Sequence, residues 1–332
     1  MGKETDDLEI RRATDDDRPA VIELCRASLG WKAGDPNEAF FAWKHDENPF
    51  GPSPAWVAVT PDGTLAGLRV FLRWRFRRPD GSTFDAVRAV DTATHPDWQG
   101  RGIFTRLTLG ALPDLIDDGV GNVFNTPNDK SRPGYLKMGW TQLGRAPVAV
   151  RLRSLLVARR LTSAQTGAEK WSEKTDVGVD AAEVFGDLDR TAEMLSRVDP
   201  SARIETDRTA EFLRWRYSFA PLRYRVVPLG DGITDGVVVF RVRRRGDALE
   251  ATICDVIAPA GRPARSVRSA IGWILRRSGA DFALVAADRA ITTAGAVPVE
   301  RLGPILTWRT LASDYVPTVE DLALVLGDVE LF

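Results

Sequence analysis

Two cysteines and two histidines are all that this chain of 332 residues offers to thiol or metal chemistry. Cys25 and Cys254 stand far apart, each inside an apolar periodic stretch. That excludes a disulfide framework and suits a reducing compartment such as the cytosol. Neither has a histidine nearby in sequence, so both read as small core residues. His45 and His95 are too few for a zinc site without several carboxylates, and no Cys/His spacing suggests one, so no metal is expected. No apolar run approaches ~18 residues, so no membrane span is expected. The opening stretch Met1–Asp17 is rich in acidic residues and lacks the basic-then-apolar order of a signal peptide, which makes a cytoplasmic location the expectation. An excess of one charge is missing too. The 45 basic and 46 acidic residues leave a net charge of −1, which supplies no global attraction to nucleic acid or to an acidic membrane.

What is present is an ordinary globular composition, 44% hydrophobic and 27% charged, in a chain whose length suits two domains. The sequence also contains itself twice. Phe40-Phe41-Ala42-Trp43-Lys44-His45 is echoed by Phe212-Leu213-Arg214-Trp215-Arg216-Tyr217, and Pro49 and Pro221 each stand six residues after the tryptophan. Gly67-Leu68-Arg69-Val70-Phe71 returns as Gly236-Val237-Val238-Val239-Phe240, and Ala89-Val90-Asp91 as Ile253-Cys254-Asp255. Four echoes in one order argue for a duplication with loops of unequal length. Because Trp43 recurs as Trp215, it reads as core rather than as a substrate contact.

In the first copy, patterning predicts a strand at Leu8–Arg12, a helix from Asp17 to about Leu29 and a second helix over Asn37–Lys44. Strands come next at Ala55–Thr60, Thr64–Arg77 and Thr83–Thr94, then one helix from Gly102 to Asp117. A strand at Asn122–Thr126, a helix near Ser131–Met138 and a hairpin complete the copy. The fold expected is α+β: two tandem domains, each a mixed, mostly antiparallel sheet flanked by helices. The boundaries expected are residues 1–156, a linker over 157–179 with weak periodicity, and 180–332.

The strongest chemical motif is Asp97-Trp98-Gln99-Gly100-Arg101-Gly102-Ile103-Phe104, between a strand and a helix. Glycines there let the backbone approach a phosphate, and the helix N-terminus supplies free N–H groups and a favourable dipole. Arg101 adds a cation. This line resembles the acyl-CoA loop of the GNAT superfamily, Q/R-x-x-G-x-G/A. Gln99 and Gly102 fit it, and Phe104 departs where a small residue is usual. Downstream, Asn128, Ser131, Tyr135, Gly139 and Trp140 resemble the superfamily's N-x-x-A-x-x-x-Y-x-x-x-G-F, with Ser for Ala and Trp for Phe. The resemblance covers residues 5–153 well and the remainder as a degenerate copy.

The resemblance implies an N-acyltransferase that uses acetyl-CoA, or another acyl-CoA, and in which an amine attacks the thioester directly. It makes Tyr135 the acid that protonates the departing thiolate and Asp91 the base candidate, with His95 as runner-up. It assigns the donor to Thr92, Ala93, Thr94, Gln99, Gly100, Arg101, Gly102, Ile103, Phe104, Asn128 and Ser131. Backbone N–H groups of Thr92–Thr94 are expected to polarise the thioester carbonyl. Asp255 occupies the place of Asp91 in the second copy, so a structural role for Asp91 stays open. Gly34–Ser53, with Trp43, Lys44, His45, Asp46, Glu47 and Asn48, is the expected acceptor segment, for a small-molecule or peptide amine. A non-catalytic acyl-CoA sensor or scaffold is the alternative that Phe104, and the lack of a Glu on the base strand, favour.

The second copy has Pro259-Ala260-Gly261-Arg262-Pro263 in place of the loop and Ile291 opposite Tyr135, so it is read as lacking the donor site. Tandem chains of this kind resemble the mycothiol synthase and Eis-type acetyltransferase families. In the latter the terminal carboxylate enters the active site, which raises the same role for the end of this chain, Leu331-Phe332. The run Arg73-Trp74-Arg75-Phe76-Arg77-Arg78 alternates basic and aromatic residues; at this net charge it reads as a two-sided strand rather than a nucleic-acid surface. Self-association is left open, a homo-oligomer included.

Overall fold

The computed structural model describes residues 7–154, 167–287, 295–312 and 315–329. The start of the expected linker, Ile291 and the Leu331-Phe332 terminus lie outside the described residues. Numbered along the chain, the strands of the first half are β1 (Glu9–Arg12), β2 (Ala55–Val59), β3 (Leu65–Arg77), β4 (Thr83–Thr94), β5 (Asn122–Asn125), β6 (Thr141–Arg145) and β7 (Val148–Leu152). The second half supplies β8 (Val179–Asp180), β9 (Glu205–Thr206), β10 (Arg225–Pro228), β11 (Val237–Arg245), β12 (Ala248–Ile257), β13 (Phe282–Ala286), β14 (Val297–Pro298) and β15 (Ile305–Thr310). Helices of the first half are α1 (Arg18–Leu29), α2 (Asn37–His45), α3 (Ile103–Gly110), α4 (Leu112–Asp117) and α5 (Arg132–Lys137).

Two compact units result. One comprises Met1–Arg77, Ser82–Leu143 and Leu306–Thr318; the other comprises Arg78–Gly81, Gly144–Ile305 and Val319–Phe332. In the first unit the strand order is β1-β2-β3-β4-β5-β15-β6. The pairs β1 with β2, β2 with β3, β3 with β4 and β5 with β15 are antiparallel. β4 and β5 run parallel, over Ala86–Arg88 and Asn122–Phe124 only. β4 continues to Thr94 without β5 beside it, so among the described residues its edge from Ala89 onward has no strand partner.

Local chemistry explains the helices. α1 has Pro19 in its first turn and stops at Gly30 in the left-handed conformation, and it buries Val21, Ile22, Leu24 and Cys25 on one face. The single helix expected over Gly102–Asp117 is two, α3 and α4, meeting at Ala111. Pro113 is the reason, since it has no N–H to donate and crowds the carbonyl four residues back. Trp56, Phe71, Val87, Ile103, Leu107, Leu115, Tyr135 and Trp140 form one core against this sheet. Trp74 and Phe76 are buried while Arg75 pairs with Asp85 and Arg73 with Asp118, as a two-sided strand requires.

The second unit repeats the plan in the order β14-β7-β13-β12-β11-β10-β8. Its parallel pair is β12 with β13, and β11 pairs antiparallel with β12 across an irregular register. Helix Ala264–Ser278 buries Val267, Ile271, Ile274 and Leu275 against this sheet's core. Both units are mixed, mostly antiparallel sheets flanked by helices. Trp43 and Trp215 are both core residues.

Candidate active site

The chain leaves β4 through His95 into a short turn, Pro96–Trp98, where His95 Nδ1 accepts from the Asp97 N–H at 3.3 Å. Trp98 is buried and anchors the turn. Gly100 and Gly102 then adopt φ of 75° and 73°, a region that strains any L side chain, with open space where a Cβ would stand. The first hydrogen bond of α3 runs from Arg106 N–H to Gly102 C=O at 3.0 Å, so the N–H groups of Ile103, Phe104 and Thr105 have no acceptor in the helix. These groups and the helix dipole face the loop, and the Arg101 guanidinium sits over the Trp98 ring at 4.7 Å. A loop of open glycines ending on free N–H donors fits a phosphate. The Gln99 amide lies 3.5 Å from the Thr94 carbonyl.

Phe104 does not turn toward that loop. Its ring lies against Gly134, where an added Cβ would meet it at 2.8 Å, and edge-on to Tyr135 at 5.2 Å between ring centres. A large residue where a small one is usual is thus accommodated by glycine on α5. Asn128 caps the approach to α5: its Oδ1 accepts from the N–H groups of Lys130 and Ser131 at 3.1 and 2.9 Å, and from the Ser131 hydroxyl at 3.1 Å. Tyr135 is buried between Phe104 and Trp140. Among the described residues its hydroxyl has no hydrogen-bond partner, yet it is not sealed from solvent.

The third part is a β-bulge. Pairing between β3 and β4 passes from Leu68↔Ala93 to Val70↔Val90, so Asp91 and Thr92 stand opposite the single residue Arg69. Asp91 adopts φ of 40°. Its Oδ2 accepts from Lys44 Nζ at 2.7 Å and lies 2.7 Å from His45 Nε2. His45 Nδ1 lies 3.0 Å from the Ser53 hydroxyl. A neutral ring donating to Asp91 and accepting from Ser53 satisfies both nitrogens. Burial acts to raise the Asp91 pKa, but the Lys44 charge and the His45 hydrogen bond outweigh it and hold the carboxyl well below its usual range. Burial lowers the His45 pKa, against the pull of Asp91. Among the described residues Asp91 Oδ1 makes no hydrogen bond, and it keeps slight solvent contact.

Thr92, on the same bulge, meets Arg69 through its hydroxyl. The structure therefore gathers Asp91 and Thr92 at the bulge and Gln99–Phe104 at the helix start, with Tyr135 joined to the latter through Phe104. Asn128 and Ser131 shape the entry to α5. Lys44 and His45, within the expected acceptor segment, turn inward to Asp91. Arg69 and Ser53 were not singled out from the sequence as site residues. The one available signal for Arg69 was a cation inside the apolar run Leu65–Phe71.

In the second unit the position of Asp91 is held by Asp255, which pairs with Arg208 at 3.0 Å and lies 3.4 Å from the Tyr217 hydroxyl. Arg208 also binds Asp328 at 3.0 Å. Tyr217, the counterpart of His45 in the repeat, therefore faces the counterpart carboxylate. No glycine pair precedes helix Ala264–Ser278, which is capped at Pro263. Among the described residues, no group of three or more His, Cys, Asp or Glu is placed to hold a metal ion, and no helix is long and apolar enough to cross a membrane.

Residues 9–143 match the acetyltransferase (GNAT) domain family, so this segment is a GNAT-type domain. Among curated proteins no sequence matches the chain. Solved structures share the fold over nearly its whole length. A probable N-acyltransferase from Enterococcus faecalis superposes with a TM-score of 0.62 at 13% identity, covering 92% of this chain and 73% of its own. A GCN5-related N-acetyltransferase from Anabaena variabilis gives 0.62 at 14%, covering 91% and 73%. Eis1 from Mycobacterium abscessus gives 0.57 at 16%, covering 92% and 73%. At such identities the likeness is one of fold.

Proposed function

We propose that the first unit moves an acyl group, acetyl in the simplest case, from acyl-CoA to an amine by direct attack within a ternary complex. The observation that carries this reading is the unpartnered edge of β4, which runs from the bulge at Asp91–Thr92 to the open glycine turn before α3. The N–H groups from Gly102 to Thr105, with Arg101, are the residues that would hold the donor's phosphates. Thr92, Ala93 and Thr94 would offer backbone groups along the open edge, polarising the thioester carbonyl. Gln99 and Gly100 shape the turn, Ile103 fixes α3 in the core, and Asn128 and Ser131 set the start of α5.

Tyr135 is the acid. Among the described residues its hydroxyl has no partner, and it can donate to a departing thiolate. Asp91 is held by one oxygen and presents the other, so it can draw a cationic amine and take its proton. Lys44 and His45 make that carboxylate a weak base, and the proton passes on to water. The acceptor is a small-molecule or peptide amine. Phe104, the feature that favoured a non-catalytic sensor, rests on Gly134 and leaves the glycine turn open. The second unit, with no glycine turn before its helix, is read as a non-catalytic copy.

Calorimetric titration with acetyl-CoA tests the reading. One site per chain, abolished by Gly102→Asp, supports it and justifies an acceptor screen by thiol release. Two sites per chain would place a donor in the second unit as well. No heat with acetyl-CoA or longer acyl-CoAs would end the proposal.

A further inference from the structure

Arg69 is completely buried on β3. Its guanidinium carbon lies 4.8 Å from the ring centre of Phe71, 5.3 Å from that of Tyr135 and 5.6 Å from that of Phe104. Nη1 donates to the Thr92 hydroxyl, while Nε and Nη2 have no hydrogen-bond partner. No carboxylate pairs with it among the described residues. Two other buried guanidiniums of this chain are matched: Arg208 binds Asp255 and Asp328, and Arg243 binds Glu250. Three aromatic faces partly compensate a cation, but they satisfy neither free N–H group nor the charge.

The two free nitrogens share one edge of the guanidinium, the fork that takes both oxygens of a carboxylate. We propose that this edge receives a substrate carboxylate. Two sources share that chemistry: the far end of a dicarboxylic acyl group, of the malonyl or succinyl kind, and the α-carboxylate of an amino-acid acceptor. The inference rests on the acyl-CoA reading above, because what places Arg69 near the reacting atoms is its contact with Thr92 and Tyr135. Phe104 is the most exposed of its ring neighbours, so the carboxylate enters by displacing that ring.

The experiment is calorimetry on wild type, Arg69→Met and Arg69→Lys, each shown by its thermal melt to be folded. Met keeps the volume without the charge, and Lys keeps the charge without the fork. Succinyl-CoA or malonyl-CoA should bind wild type about 10- to 100-fold more tightly than acetyl-CoA, the range set by a paired charge-assisted hydrogen bond. Arg69→Met should abolish that preference and Arg69→Lys should keep only part of it, each taken as a ratio to the same protein's own affinity for acetyl-CoA. That result assigns the carboxylate to the donor. If the acyl-CoAs bind alike but, on CoA-saturated protein, lysine loses affinity in Arg69→Met while cadaverine does not, the carboxylate is the acceptor's. If acetyl-CoA binds normally and neither preference depends on position 69, the proposal is overturned and the acyl-CoA reading stands. If no CoA thioester binds at all, that earlier reading has failed, and this one falls with it.

Discussion

Replacing Asp91 by Asn removes one charge and almost no volume, so its cost measures what that charge does for its neighbours. Lys44 is 5% exposed at its side chain and the Asp91 carboxylate is its ion-pair partner. Breaking a buried pair by removing one partner costs about 3–5 kcal/mol. Hydrogen exchange read by mass spectrometry on peptides spanning Phe40–Val59 and Thr83–Thr94 measures this locally, with Ala248–Ile257 of the second unit as internal reference. A deficit under ~1 kcal/mol at pH 7 would refute the reasoning, since Lys44 would then have water or another partner.

Four further outcomes are expected. In wild type, the carboxyl of Asp91 titrates below its unfolded value and His45 resists protonation. Protection of the same peptides should therefore weaken as pH falls below about 6.5, from His45, and further as it falls below about 4, from Asp91; flat protection down to about pH 4 would contradict the His45 shift, and no further loss below about pH 4 the Asp91 shift. Tyr135→Phe should lower turnover about 10²- to 10⁴-fold while acetyl-CoA affinity changes little, measured by thiol release against calorimetry; equal loss of both would make Tyr135 a packing residue. Gly134→Ala should push Phe104 out of its seat, since the new Cβ would stand 2.8 Å from the ring, weakening donor binding more than it lowers the melting temperature. Arg208→Met leaves Asp255 and Asp328 buried without their shared cation, and should destabilise the second unit by about 3–5 kcal/mol in urea while acetyl-CoA binding persists.

The fold was legible because duplication and patterning are linear properties. β4 lies at the predicted residues, and β3 and α1 within one residue of them. The break at Pro113 was equally visible in principle, but the apolar spacing on both sides reads as continuous. The glycine turn was legible since its geometry is local: Gly100 and Gly102 take positive φ within a few residues of the helix they precede. What stayed hidden is pairing at long range. Nothing in the sequence near Asp91 announces Lys44, 47 residues earlier, or Ser53 behind His45. Whether a bulge forms at all depends on how β3 aligns with β4. Arg69 escaped for the same reason, because its meaning lies in contacts that never formed, and only side-chain positions reveal an unfilled fork.

The duplication itself separates scaffold from chemistry. In each unit the third strand from the parallel pair's outer side meets a bulged neighbour, and the bulge presents an aspartate to the residue closing an aromatic-rich helix: His45 to Asp91, Tyr217 to Asp255. What both copies retain is the carboxylate and a polar ring beside it, so this pair answers a need of the bulged sheet. What they do not share is the charge around it. Asp91 has Lys44 and is held ionised; Asp255 shares Arg208 with a second carboxylate, and burial raises its pKa despite that cation. Among the described residues, the first unit alone has open glycines before its helix, and there a tyrosine hydroxyl left uncommitted and the Arg69 guanidinium beside that tyrosine's ring join them. Those additions, more than the aspartate common to both, are where a reaction and its substrate preference would be built.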